Sequence, residues 1–301
     1  MSGRDWATLI LLSIIWGGSF FFIEVAVGSV KPITLVLIRV SLAALALWLF
    51  LLARRQALAL PNGAVSAFLI LALLNNVLPF ILFAWGQTQI ASGLASILNA
   101  TTPIWGVVVA HIFTKDERMT PAKVAGVLLG FGGVAVMIGA DFLREIGTEV
   151  WAQIACLIAT LCYALAGVFG RRFKAMGVPP VMVATGQLTA AALVTLPLVL
   201  LFEQPWQSTA PTGEAWASLV ALALVCTAFA YILFFRLIAS AGATNSLLVT
   251  FLIPITAILL GSAMLGEVLE TRHFIGMALI GLGLAAIDGR LVRLSGLRRA
   301  A

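Results

Sequence analysis

Apolar residues run along this chain in ten long stretches separated by short polar connections, near residues 6–27, 32–53, 64–86, 90–113, 121–140, 151–170, 180–202, 214–237, 242–265 and 271–289. A helix must supply about 20 apolar residues to cross a bilayer core, and each stretch approaches that length. The pattern predicts an all-α integral membrane protein with ten transmembrane helices. The longest connection, a Pro-, Ser- and Thr-rich run from Glu203 to Pro211, is too short for an appended soluble domain. Any chemistry is therefore expected inside the membrane.

The last five stretches repeat the first five at an offset of about 150 residues. Between 85–139 and 235–289, Gly93 reads against Ala243, Ser96 against Ser246, Glu117 against Glu267, Gly126 against Gly276 and Gly133 against Gly283, with Pro103 meeting Pro254 after a slip of one residue. Because five is odd, the second half enters from the opposite face. The predicted architecture is two inverted five-helix repeats, 1–145 and 146–301, in one integrated membrane domain. Inverted pairs of this kind typically frame a substrate site near the bilayer midplane.

Composition agrees, with 62% hydrophobic residues, 10% charged residues and a mean hydropathy of +1.11. The opening MSGRDW has neither the charged lead-in nor the cleavage site of a removable signal, so the first stretch is expected to be retained. Cys156, Cys162 and Cys226 all fall in apolar stretches, where they act as small hydrophobes rather than as a disulfide framework or a metal site. No cofactor is called for.

The net charge of +6 does not point to nucleic acid, since the basic residues are scattered through the connections. With the N-terminus inside, Arg4, Arg54, Arg55, Lys115, Arg118, Lys123, Arg171, Arg172, Lys174, Arg236, Arg290, Arg293, Arg298 and Arg299 lie on the inner side. Only Lys31, Arg144 and Arg272 lie outside. Such asymmetry predicts that both termini are cytoplasmic.

In LALLNNVLPFILFAW of the third stretch, Asn76, Pro79, Phe80 and Phe83 share one helical face. Pro79 withholds a backbone donor and frees a carbonyl, which hydrocarbon tolerates only beside protein, water or a substrate. Asn75 and Asn76 either serve that site or bond neighbouring helices as glue. The fourth stretch carries Asn99, Thr102 and Gly106 around Pro103, and its repeat partner carries Ser246, Thr250 and Pro254. Bent helices at corresponding positions of two halves mark a transport site, although the prolines could also simply make the bundle bulge. Trp16, Tyr163 and Tyr231 sit deep in their stretches, where a polar aromatic needs an internal partner, so each lines a cavity or packs in the core. Trp6, Trp48, Trp85, Trp151, Trp206 and Trp216 lie nearer the ends and read as interfacial anchors.

Arg39, well inside the second stretch, costs roughly 2.5–3.5 kcal/mol to insert and needs a partner. Glu24 is its natural partner by depth, and an ion pair bracing the first two helices is preferred over Arg39 meeting a substrate carboxylate. His111 and His273 lie near helix ends. The glycines of stretches 5 and 10 offer close-packing scaffold surfaces and only a weak dimer signal, which leaves the oligomeric state open.

WGGSFFFIE, LVLIRVSLAAL with its internal arginine, the pair ASGLASILNATTPIWGVVVA and AGATNSLLVTFLIPITAILLGSAMLGE, and the Gly-rich fifth and tenth stretches resemble the EamA branch of the drug/metabolite transporter superfamily. The resemblance covers essentially the whole chain. Within the branch it is most like the YddG-type bacterial exporters of aromatic amino acids. It implies a basket of ten helices open to one side at a time, and an inner-membrane carrier that exports aromatic and other apolar amino acids, with hydrophobic drugs a further cargo class.

The residues fit a carrier better than other polytopic classes. Apart from Glu24, every acidic residue lies at or beyond a stretch end, and no HExxH, GxSxG or phosphate loop occurs, which argues against a membrane-embedded enzyme. A channel would call for a filter or pore ring. A phosphorylated cargo would need cationic or helix-terminal anion sites at the midplane, and Arg39 is the only intramembrane base. Trp16, Phe80, Phe83, Trp105 and Tyr163 could stack a ring or a planar cation. With Glu24 shallow and tied to Arg39, flux is expected to be downhill. Proton antiport of other metabolites or cationic drugs is the alternative.

Overall fold

The computed structural model describes residues 2–55, 60–114, 119–138, 148–207, 210–241 and 249–287, and among them there are helices and no strands. Seven helices are long and apolar enough to cross a membrane: Gly3–Val27, Pro32–Ala53, Ala64–Gly86, Ser92–Phe113, Glu149–Ala175, Pro180–Gln207 and Gly213–Phe234. Shorter helices occupy the other three apolar stretches.

Helix α1 (Gly3–Val27) starts at a capping box, in which the Ser2 hydroxyl accepts from the Asp5 amide and the Asp5 carboxylate accepts from the Ser2 amide. Pro32 opens α2 (Pro32–Ala53), whose first amides are satisfied from far along the chain. Glu203 accepts from the Ile33 amide at 2.8 Å and from the Thr34 amide and hydroxyl at 2.6 and 2.7 Å. That carboxylate at a helix N-terminus also meets the positive end of the helix dipole.

The third stretch is α3 (Ala64–Ala72) and α4 (Leu78–Gly86) joined by a π turn over Leu73–Val77. Pro79 explains the local widening: the ladder loses a donor there, and the Leu78 amide reaches back five residues to the Leu73 carbonyl. The fourth is α5 (Ser92–Asn99) and α6 (Thr102–Phe113), interrupted ahead of Pro103. Pro103 has no N–H for the Asn99 carbonyl, and the Thr102 hydroxyl takes that carbonyl at 2.7 Å.

The chain continues through α7 (Pro121–Ile138), α8 (Thr148–Ala175) and α9 (Pro180–Leu198), then a π turn over Val199–Glu203. The eighth stretch repeats the device of the third without a proline: α10 (Gly213–Ala223), a π turn over Leu224–Phe229, then α11 (Ala230–Ala241). There the Thr227 hydroxyl donates to the Leu222 carbonyl at 2.8 Å. Helix α12 (Val249–Leu265) runs unbroken through Pro254, unlike its counterpart around Pro103, and α13 (Thr271–Ile287) follows. Ser246 lies outside the described residues.

Close helix contacts come in matched pairs. Helix α1 packs on α12, α10 and α11, while α8 packs on α6 and α4; α2 packs on α9, and α7 on α13. At the last crossing, a Cβ on Gly133 would lie 2.7 Å from the Gly276 carbonyl oxygen, and one on Gly283 would lie 2.5 Å from that of Gly126. The glycine surfaces of stretches 5 and 10 thus meet each other within one chain.

Candidate functional site

A cavity of about 250 Å³ opens where α1, α2, α8 and the interrupted third, fourth and eighth stretches converge with α12. Its wall is mostly aromatic and apolar, with a few polar groups carried by the interruptions, the general composition of a small-molecule site. Trp16, Phe20 and Ile23 come from α1, Phe80 and Phe83 from α4, and Tyr163 from α8. Asn75 comes from the first π turn, Cys226 and Thr227 from the second, and Tyr231 and Phe234 from α11. Asn99 and Thr102 flank the break in the fourth stretch, and Thr250 and Ile253 lie on α12.

The rings form two groups. Phe83 stacks on Tyr163 with centroids 6.2 Å apart and meets Phe20 edge-on at 5.6 Å. Trp16 packs on Phe234 at 5.2 Å. Both tyrosines of the chain lie on this wall. The Tyr231 hydroxyl accepts from the Asn76 amide at 3.2 Å and, at the 3.5 Å limit, from that of Asn75, which also donates to Gln187 at 3.0 Å. The two halves are thereby tied by a polar chain, and the first π turn aims it.

The structure brings Trp16, Phe80, Phe83, Asn99, Thr102, Tyr163, Tyr231 and Thr250 onto one wall. Asn76 is not on it: fully buried, it lies behind the wall and holds Tyr231, while its neighbour Asn75 faces the cavity. The widened turn shifts the face that ideal helical spacing assigned to Asn76. Trp105 also departs from expectation, packing edge-on against Phe131 of α7 with centroids 4.8 Å apart rather than lining the cavity. The Trp48 indole N–H donates to the Thr189 hydroxyl at 3.0 Å.

The expected Glu24–Arg39 ion pair is not formed. The Glu24 carboxylate accepts from the Gln87 side-chain amide at 3.0 Å, an amide that also donates to the Phe20 carbonyl at 2.7 Å. Arg39 turns toward the cavity, where its Nε donates to the Thr227 hydroxyl at 2.9 Å and its guanidinium carbon lies 3.9 Å above the centroid of the Phe80 ring. Depth along the helices suited the pair, but α1 and α2 present these residues to different neighbours.

A further acidic residue acts where sequence patterning gave it no role. Glu267 accepts from the Ser92 amide at 2.8 Å and from the Gly93 amide at 3.0 Å, capping α5 from the end of α12. Its own amide donates to the Gly261 carbonyl, and Gly266 turns with φ +67°. Two glycines pack against this carboxylate. A Cβ on Gly93 would come within 3.3 Å of it, and one on Gly261 would collide with it.

The EamA-like transporter family profile matches the chain twice, over residues 6–139 and 150–287. The chain belongs to the EamA-like transporter family and is a multi-pass membrane transporter. It is similar to the uncharacterized transporter YoaV of Bacillus subtilis, with 24% identity over 92% of this chain and 94% of the relative. It is 26% identical to the uncharacterized inner membrane transporter YedA of Escherichia coli K12, over 90% and 86% of the two chains. A protein of Streptantibioticus cattleyicolor named as a probable terminal-alkyne amino-acid exporter is 28% identical over 96% of this chain and 95% of its own. A solved crystal structure, 22% identical, superposes over 100% of both chains with a TM-score of 0.69, which shows a shared fold.

Proposed function

We propose that this transporter is a bacterial inner-membrane exporter of aromatic and other apolar amino acids, akin to YddG-type carriers, working by alternating access between two inverted five-helix halves, 1–145 and 146–301. The observation that carries this reading is the aromatic cavity at the meeting point of interrupted helices from both halves. Stacked rings suit an aromatic or apolar side chain, while Asn75, Asn99 and Thr102 offer hydrogen bonds to a polar backbone. The two family matches, the paired π turns and the reciprocal Gly133–Gly276 and Gly283–Gly126 contacts support ten crossings related by an internal two-fold. The relative named as an amino-acid exporter supports the cargo class.

The basic residues support cytoplasmic termini. Gln207, exposed beyond α9, would then face the periplasm, and Gln207→Cys should react with an impermeant thiol reagent on intact cells. Reaction only after lysis would reverse the orientation.

The reading is tested with purified protein in liposomes preloaded with unlabelled phenylalanine. Saturable uptake of external radiolabelled phenylalanine, accelerated by the internal pool, is the expected result. Uptake no faster than in protein-free vesicles would reject this cargo, and an unsaturable ion conductance would point to a channel.

A further inference from the structure

Arg39 is 6% exposed, yet within the described residues no carboxylate stands within ion-pair distance of it. Its contacts account for one donor and one face of the guanidinium: Nε to Thr227, and the plane over Phe80. An arginine carries five N–H donors in a rigid fork and stays charged in proteins. The two terminal amino groups of Arg39 have no hydrogen-bond partner among the described residues, and neither is among the fully buried polar atoms lacking a partner. They therefore reach open volume, and the residue lines the cavity. An uncompensated cation at this depth is costly unless something of opposite charge visits it. The bond to Thr227 and the ring of Phe80 hold the fork in a fixed orientation on the wall that also carries Asn75 and the stacked rings. These are the requirements for two-pronged recognition of a carboxylate.

We infer that Arg39 is the carboxylate-binding residue of this cavity, so that cargo is selected by a free carboxylate carried next to an apolar or aromatic body. The inference rests on the amino-acid reading above and narrows it: amides, esters and cationic amines of the same shape are excluded. Thr227 is a positioning residue that sets the fork. The carboxylate of a zwitterionic cargo then pairs directly with the guanidinium, whereas a cationic drug brings only like charge to it.

The test uses full-length protein in liposomes and phenylalanine counterflow, competed by phenylalaninamide, which lacks the carboxylate, and by 3-phenylpropionate, which lacks the amine. In the wild type, phenylpropionate competes and the amide competes at least tenfold more weakly than phenylalanine. Arg39→Gln weakens phenylalanine by about tenfold to hundredfold, the range for loss of a hydrogen-bonded charge, and removes the preference for phenylalanine over its amide. Arg39→Lys retains part of that preference. A change in fold alone would lower all competitors together and leave their ratio intact.

Equal competition by phenylalanine and its amide in the wild type would overturn the inference while leaving the amino-acid reading standing. If the wild type does not exchange phenylalanine at all, that reading fails, and the carboxylate site is judged by heat stability of the purified protein titrated with aryl and alkyl carboxylates and their amides. Stabilisation by the acids and not the amides upholds Arg39, and no difference between them refutes it.

Discussion

The Glu267 carboxylate lies 3.0 Å from the amide nitrogen of Gly93, so the end of α12 in the second half caps the first turn of α5 in the first. Ser92, one residue earlier, gives its amide to the other carboxylate oxygen at 2.8 Å. Two otherwise orphaned helix amides at the start of α5 are thus satisfied across the halves.

Removing the cap should loosen the start of α5. Glu267→Ala is expected to cost on the order of 1–2 kcal/mol, as loss of a helix cap does. Gly261→Ala should act in the same direction by pushing the carboxylate out of its niche. Both variants should lower the thermal midpoint of the detergent-solubilised protein, and a midpoint unchanged in both would show that the contact contributes nothing.

The α7–α13 crossing makes a sharper forecast, because neighbouring glycines differ in what surrounds them. A Cβ on Gly132 meets nothing within 4 Å, whereas one on Gly133 meets the Gly276 carbonyl and Ile280. Gly132→Ala should be neutral or slightly stabilising, since alanine is the better helix former. Gly133→Ala and Gly283→Ala should each destabilise by about 1–3 kcal/mol through overpacking. Thermal denaturation of the three variants in one detergent checks this ordering, and equal effects at Gly132 and Gly133 would contradict it.

Glu24 is the residue to which proton coupling would be assigned by its depth, but it is bonded to Gln87 and is not among the residues lining the cavity. Transport is therefore expected to be downhill. In vesicles equilibrated with labelled phenylalanine on both sides, an imposed pH gradient should produce no net accumulation, and Glu24→Gln should exchange at a rate close to wild type. Accumulation that disappears in Glu24→Gln would identify Glu24 as the coupling residue.

Much of this organisation is legible in the chain because membrane helices declare themselves by length and apolarity, and because prolines 79 and 103 announce where two of them yield. The π turn at Leu224–Phe229 has no proline to announce it and is marked only by Thr227, a common residue in buried helices. Asn75 and Asn76 show the limit of ideal periodicity, since an extra residue in the turn exchanges their faces. Arg39 and Glu24 show another: similar depth fixes neither rotation about the helix axis nor choice of neighbour. Glu203 and Glu267 look like ordinary loop acids until the fold carries them to helix N-termini distant in sequence.

The claim on which the rest depends is that this cavity is where cargo binds, reached from one side of the membrane at a time. Asn99 lines it and is only partly buried, so a thiol at that position is open to the cavity. With the three native cysteines, all buried, replaced by alanine, Asn99→Cys in oriented vesicles should react with a small thiol reagent, and saturating phenylalanine should slow that reaction severalfold. Labelling at the same rate with and without phenylalanine, in a variant that still exchanges phenylalanine, would contradict the account.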